Sequence, residues 1–141
     1  RLDPEPQPGL LTLITRLGAD RVSALLPPLV DAVRAAGHPV IWLCDPMHGN
    51  TVAGVGGRKT RLVGTVVREV ADFVATVRVT GGVAGGLHLE TTPDEVEECG
   101  WDDVPTGPYT SLCDPRLNAG QALAVVAAWR PARQRGGENL A

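Results

Sequence analysis

Aromatic side chains are scarce in this chain: one Phe, one Tyr and three Trp make up 4% of 141 residues. A core must therefore come from Val, Leu and Ala, which the 43% hydrophobic content supplies. Basic excess is lacking too. Thirteen Lys and Arg face sixteen Asp and Glu, a net charge of −3. No cationic surplus remains to neutralise phosphates along a nucleic acid. No apolar run approaches the roughly 20 residues that span a bilayer, and no secretory leader opens the chain. The three cysteines show neither a disulfide-framework spacing nor paired zinc-knuckle spacing, which fits a reducing, cytoplasmic setting. The length is one domain's worth. Arg1 stands where a Met would open a complete chain, which points to a processed, trimmed or fragmentary one.

Proline and glycine punctuate what is there. Pro4, Pro6 and Pro8 make residues 1–9 an extended arm or linker. Leu10 to Thr15 is an apolar run between Gly9 and Gly18 and reads as a buried strand. Asp20 is placed to cap the next helix, where Val22, Leu25, Leu26, Leu29, Val30 and Val33 recur at helical spacing. Pro27-Pro28 should break or kink that helix, and Gly37 with Pro39 closes it. Val40 to Leu43 forms a second strand. A glycine-rich basic loop, Gly54 to Arg61, leads to the clearest amphipathic helix, Leu62 to Val77, ended by Gly81-Gly82. Gly85-Gly86 then introduces a third strand, Leu87 to Glu90. An acidic irregular segment, Thr91 to Gly107, precedes a short extended piece, Tyr109 to Cys113. Asn118 can cap a last helix halted by Pro131, and residues 132–141 read as a frayed tail. Strand, helix, strand, helix, strand, loop, helix is the order of an α/β domain with a parallel sheet, over residues 10–131.

In such sheets chemistry gathers at the carboxyl ends of the strands. Those ends carry Arg16, His48 and Glu90. The densest stretch is Cys44-Asp45-Pro46-Met47-His48-Gly49-Asn50-Thr51, where Pro46 and Gly49 keep regular structure from absorbing the polar groups. His48, Glu90 and Asp114 make a mixed nitrogen and oxygen set that suits manganese, iron, cobalt or zinc. The same three residues also read as a turn cap, a solvated strand end and an Asx turn before Pro115. Arg16 can hold a phosphate or carboxylate with its fork, or form an ordinary salt bridge. Lys59 in the Gly54–Thr60 loop can meet a substrate phosphate or sit on a solvated basic face. That loop is not a P-loop, because its glycine spacing is wrong. Cys44, Cys99 and Cys113 lack the pairing of structural zinc and read as buried strand cysteines.

Taken together, these motifs resemble a known family. Leu11 to Asp20, the Cys44–Thr51 stretch, Lys59-Thr60-Arg61, Gly86-Leu87-His88-Leu89-Glu90 with Glu98-Cys99, and Cys113-Asp114-Pro115-Arg116-Leu117-Asn118 are similar to the type II (plant-like) 3-deoxy-D-arabino-heptulosonate 7-phosphate synthases. The likeness runs in the family's order from about Leu10 to Ala128. It implies the carboxyl-terminal part, about three βα units, of a (β/α)8 TIM barrel that is incomplete on its own. It implies the condensation of phosphoenolpyruvate with erythrose 4-phosphate, the first step of aromatic biosynthesis, with a divalent metal, manganese or cobalt foremost and iron or zinc after them. His48, Glu90 and Asp114 are implied as metal ligands, Arg16 as a phosphoenolpyruvate contact and Lys59 as a group on the sugar-phosphate side.

The chain also departs from that family. The fourth metal ligand, a cysteine, lies near the amino-terminal end of a longer chain. The remaining phosphoenolpyruvate-binding arginine and lysine, and a glutamate beside them, also lie upstream. None has a counterpart here. The loop between Glu90 and Asp114 is shorter than the family's, with Pro93 in place of a glycine. Three βα units cannot close a barrel. The expectation is thus a split subunit or fragment completed by another chain or by self-association. A non-catalytic partner of a full-length synthase and a small metal- or phosphate-binding module are the other readings.

Overall fold

The structure, a computed structural model, describes residues 6–130. Most of the expected arm (1–5) and the tail (132–141) lie outside the described residues. Three short parallel strands, β1 (Thr12–Thr15), β2 (Ile41–Cys44) and β5 (Val83–Leu87), form one sheet in the order β1-β2-β5. Helices α1 (Val22–Ala35) and α2 (Val63–Val79) connect them and cover one face, and α3 (Ala119–Ala128) packs beside α2. A two-stranded hairpin, β3 (Val52–Ala53) and β4 (Lys59–Thr60), lies between β2 and α2. Parallel strands joined by helices follow from the alternation in the sequence. Among the described residues, no helix is long and apolar enough to cross a membrane.

The core sits between the sheet and the helices. Val22, Leu26 and Val30 of α1 meet Phe73, Val74 and Val77 of α2 over Val40, Trp42 and Cys44. A second cluster, Met47, Val63, Val66, Val70, Cys99, Leu117 and Val125, ties α2 and α3 to the loops. Valine dominates, as the composition implied, but two of the five aromatics hold the centre. Trp42 and Phe73 are fully buried, and Phe73 meets Trp129 with ring centroids 6.2 Å apart.

Five expectations need correction. The first strand is not buried: it is an edge of the sheet, Leu10 and Ile14 are exposed, and only Thr15 of β1 is buried. Pro27 and Pro28 lie inside α1 without breaking it. The carbonyls they leave without donors, those of Ser23 and Ala24, belong to exposed residues and reach water. Asp20 does not cap α1. The cap position is Arg21, the Gly18 carbonyl accepts from Arg21 and Val22 at 3.0 Å, and Asp20 pairs with Arg68. The third strand starts at Val83 and ends at Leu87, so Gly85-Gly86 lies within it. Its pairing with β2 shifts register between Trp42 and Leu43, and Gly85 fits that irregularity because a Cβ there would sit 2.1 Å from Ile41 Cγ2. Cys113, read as a buried strand cysteine, is exposed, and neither it nor the buried Cys99 lies in a strand. The expected cap at Asn118 is present as a reciprocal capping box with Gln121.

Candidate metal centre

All three strands run the same way, so the segments after β1, β2 and β5 meet at one end of the sheet. The segment after β2 is shaped by Asp45, which is 2% exposed. Its Oδ1 accepts the backbone N–H groups of Met47 at 3.0 Å and His48 at 3.2 Å, turning the chain into a short 3₁₀ turn, His48–Asn50. Its Oδ2 lies 2.7 Å from His48 Nδ1 and 3.5 Å from Arg16 Nε. One buried carboxylate thus addresses both His48 and Arg16, two of the residues read from the sequence.

With Nδ1 engaged by Asp45, His48 aims Nε2 at two more carboxylates. Glu90 Oε1 is 3.3 Å away and Asp114 Oδ2 is 4.0 Å away. One ligand atom from each of His48, Glu90 and Asp114 falls within 4.8 Å of the others. Three electron-rich atoms at that separation repel unless positive charge joins them. An imidazolium proton satisfies the set in part; a divalent cation accepting from all three satisfies it fully. The Nδ1 contact with a carboxylate is what a metal-bound imidazole needs behind it, because it fixes the tautomer and the ring. The donor set therefore fits a metal ion. His48, Glu90 and Asp114 remain 22–27% exposed, so the cluster forms a wall rather than an enclosed pocket.

Two cations complete the surroundings. Lys59, on β4, places Nζ 2.8 Å from Asp114 Oδ1. That hydrogen bond lowers the Asp114 carboxyl below its ordinary range and raises the Lys59 ammonium above its own. Arg61 is fully buried, and its Nη1 lies 2.8 Å from Glu90 Oε2 without the alignment of a hydrogen bond. Three carboxylates (Asp45, Glu90, Asp114) and three cations (Arg16, Lys59, Arg61) make the cluster close to neutral. A bound divalent ion would leave it cationic.

Behind the cluster, buried charges fix the loops. Glu98, fully buried, accepts from the backbone of Thr110, Ser111 and Arg116 and from Nε and Nη2 of Arg116. Burial pushes its carboxyl up, but the bonds from Arg116, Ser111 and Thr110 outweigh this and hold it at about 2. Glu69 on α2 accepts Gly18 N at 2.9 Å and Asn50 Nδ2 at 2.5 Å, joining the segments after β1 and β2. Burial raises the Glu69 carboxyl. Burial also raises the thiols of Cys44 and, to about 11, Cys99, so both are inert; Cys113 alone of the three is exposed.

In the sequence, Asp45, Arg61 and Glu98 are seen only as members of motifs, with no role of their own, and Glu69 is not singled out at all. Glu69 left a signal, since it shares the buried helical stripe of Val66, Val70 and Phe73. The others sit in irregular segments, where no periodicity marks the inside.

Comparison with known proteins places this sequence in a family. The sequence pattern of the class-II DAHP synthetase family matches residues 1–128. A probable phospho-2-dehydro-3-deoxyheptonate aldolase of Pseudomonas fluorescens is 58% identical over 134 residues, covering 92% of this chain and 34% of that protein. Phospho-2-dehydro-3-deoxyheptonate aldolase AroG of Mycolicibacterium smegmatis is 47% identical over 131 residues, 89% of this chain and 28% of that protein. The phospho-2-dehydro-3-deoxyheptonate aldolase of Streptomyces coelicolor is 46% identical over 129 residues, 87% and 29%. The chain thus spans about a third or less of the length of these curated relatives. Matched over residues 1–128 of its 141, the chain belongs to the class-II DAHP synthetase family.

Proposed function

We propose that this chain contributes the metal centre and part of the substrate pocket of a 3-deoxy-D-arabino-heptulosonate 7-phosphate synthase, the transferase that condenses phosphoenolpyruvate with erythrose 4-phosphate. The observation that carries the reading is the convergence of His48 Nε2, Glu90 Oε1 and Asp114 Oδ2, with Asp45 behind His48. Support for the substrates comes from the relatives' names and from the charge balance. A neutral cluster that becomes cationic on binding a divalent ion suits two substrates that both carry phosphate.

In this reading His48, Glu90 and Asp114 hold the ion, for which manganese or cobalt fits the donors best. When bound, it supplies Lewis acidity to an aldehyde oxygen. Asp45 keeps the proton on Nδ1 and leaves Nε2 as the donor. Arg16, 57% exposed in its side chain, is free to turn its fork toward the phosphoenolpyruvate anion. Lys59 serves the sugar-phosphate side, since a metal on Asp114 weakens its present ion pair.

The three βα units form the carboxyl-terminal part of a (β/α)8 barrel, and the remaining strands come from another chain or a longer one. The sheet supports this. Its order leaves β1 and β5 as edges, and Ile14 and Val83 stay 48% and 60% exposed. Leu25 and Leu29 on α1 and Leu123 and Val126 on α3 are exposed as well. Those apolar positions need a covering layer.

The test is coexpression with the amino-terminal two thirds of a relative, followed by phosphate release from both substrates with and without chelator. Chelator-sensitive activity that His48→Ala abolishes supports the reading. A stable complex that releases no phosphate makes the chain a regulatory partner instead.

A further inference from the structure

We infer that Arg61 is the positioning residue of the metal centre, because one buried guanidinium touches all three ligand-bearing segments. The inference rests on the reading of His48, Glu90 and Asp114 as ligands. Nε of Arg61 donates at 2.6 Å to the carbonyl of Met47, the residue before His48. Its Nη1 donates to the carbonyl of Pro115, the residue after Asp114, and lies 2.8 Å from Oε2 of Glu90 itself. These segments are far apart in sequence, and no other single side chain described here reaches all three.

Burying a cation is costly unless its surroundings compensate. Here two of the three partners are backbone carbonyls beside ligands and the third is a ligand, so the compensation is assembled from the site. The guanidinium is planar and its donors leave in fixed directions. It therefore sets the spacing of the three segments as well as their attraction. By taking Oε2, it leaves Oε1 of Glu90 facing His48 at 3.3 Å. The Arg61 backbone is anchored in turn: its carbonyl accepts Gly100 N at 3.0 Å at the entrance to α2. Arg61 touches no substrate in this account; it acts through the ligands.

The test uses the full 141-residue chain with Arg61→Met, which removes charge and fork, and Arg61→Lys, which keeps charge alone. Cobalt(II) chloride alone is titrated calorimetrically and by its visible ligand-field bands, and amide exchange is followed without metal. Both variants should keep helical circular dichroism and lose about tenfold or more in cobalt affinity, the scale of groups that orient metal ligands. Their ligand-field bands should change, and exchange should quicken within residues 45–50 and 114–117 but not in α1. Cobalt affinity and exchange like the parent's, full rescue by lysine, or loss of helical signal in both variants would each overturn the inference. A parent chain that binds no cobalt sinks the ligand reading instead, while the metal-free exchange comparison still decides the role of Arg61.

Discussion

Asp45 and His48 act as one unit: the same carboxylate that accepts the backbone N–H groups of Met47 and His48 also meets His48 Nδ1 at 2.7 Å. The turn that presents the imidazole and the contact that fixes its tautomer thus have one source. Moving Asp45 would disturb both.

Asp45→Asn keeps the size and removes the charge. The amide can also offer an N–H to Nδ1, which favours the wrong tautomer. Manganese affinity should fall by about 10- to 100-fold while the fold persists. Calorimetric titration against the parent checks this, and an unchanged affinity would remove Asp45 from the centre.

Lys59→Met separates the two roles of the Lys59–Asp114 pair. Both partners are solvent-accessible, so the thermal midpoint should hardly move. Relieved of a competing cation, Asp114 should bind manganese somewhat more tightly, whereas inorganic phosphate should bind the metal-loaded chain more weakly. Opposite signs for the two ligands are the expected result. Parallel losses would mean that Lys59 only supports the loop.

Gly49 and Gly18 bring the segments after β2 and β1 into backbone contact. A Cβ at Gly49 would lie 2.4 Å from Gly18 N, which cannot step aside as a flexible side chain can. Gly49→Ala should cost about 1–3 kcal/mol, the usual scale of overpacking. Denaturant unfolding measures it, and a neutral substitution would show that these segments do not pack backbone to backbone.

Glu98 predicts an acid dependence. Its folded carboxyl sits at about 2, below the ordinary 4.5, so the stabilisation is complete above about pH 4.5 and is lost as pH falls through 2. The amount is on the order of 3 kcal/mol. Urea unfolding between pH 6 and pH 2.5 should show this loss in the parent and a flatter profile in Glu98→Gln. Equal slopes would refute the assignment.

Much of the fold was legible because periodicity and breakers carry it. The run before Gly18, the stripe Val63–Val77 and the Asn118–Gln121 box each act locally, so the sequence exposes them. Pro27-Pro28 misled because a packed apolar stripe, Val22, Leu26 and Val30, outweighs two missing hydrogen bonds near water. Gly85-Gly86 misled because a strand irregularity and a turn use the same residue. Of the residues that the fold brings together, His48, Glu90, Asp114, Arg16 and Lys59 stood out in the sequence by their type and their place at the ends of elements or in loops. The groups that hold them in place were not. Asp45, Arg61 and Glu98 act across 2 to 54 positions from within irregular segments, and only the folded chain reveals that they are buried.

In the proposed reading, His48, Glu90 and Asp114 together hold a divalent cation. Manganese(II) added to the 141-residue chain and followed by the loss of its free-ion paramagnetic resonance signal tests it most directly. Binding should saturate at one ion per chain, with His48→Ala losing that binding and retaining its helices. A parent chain that leaves as much manganese free as His48→Ala does would contradict it.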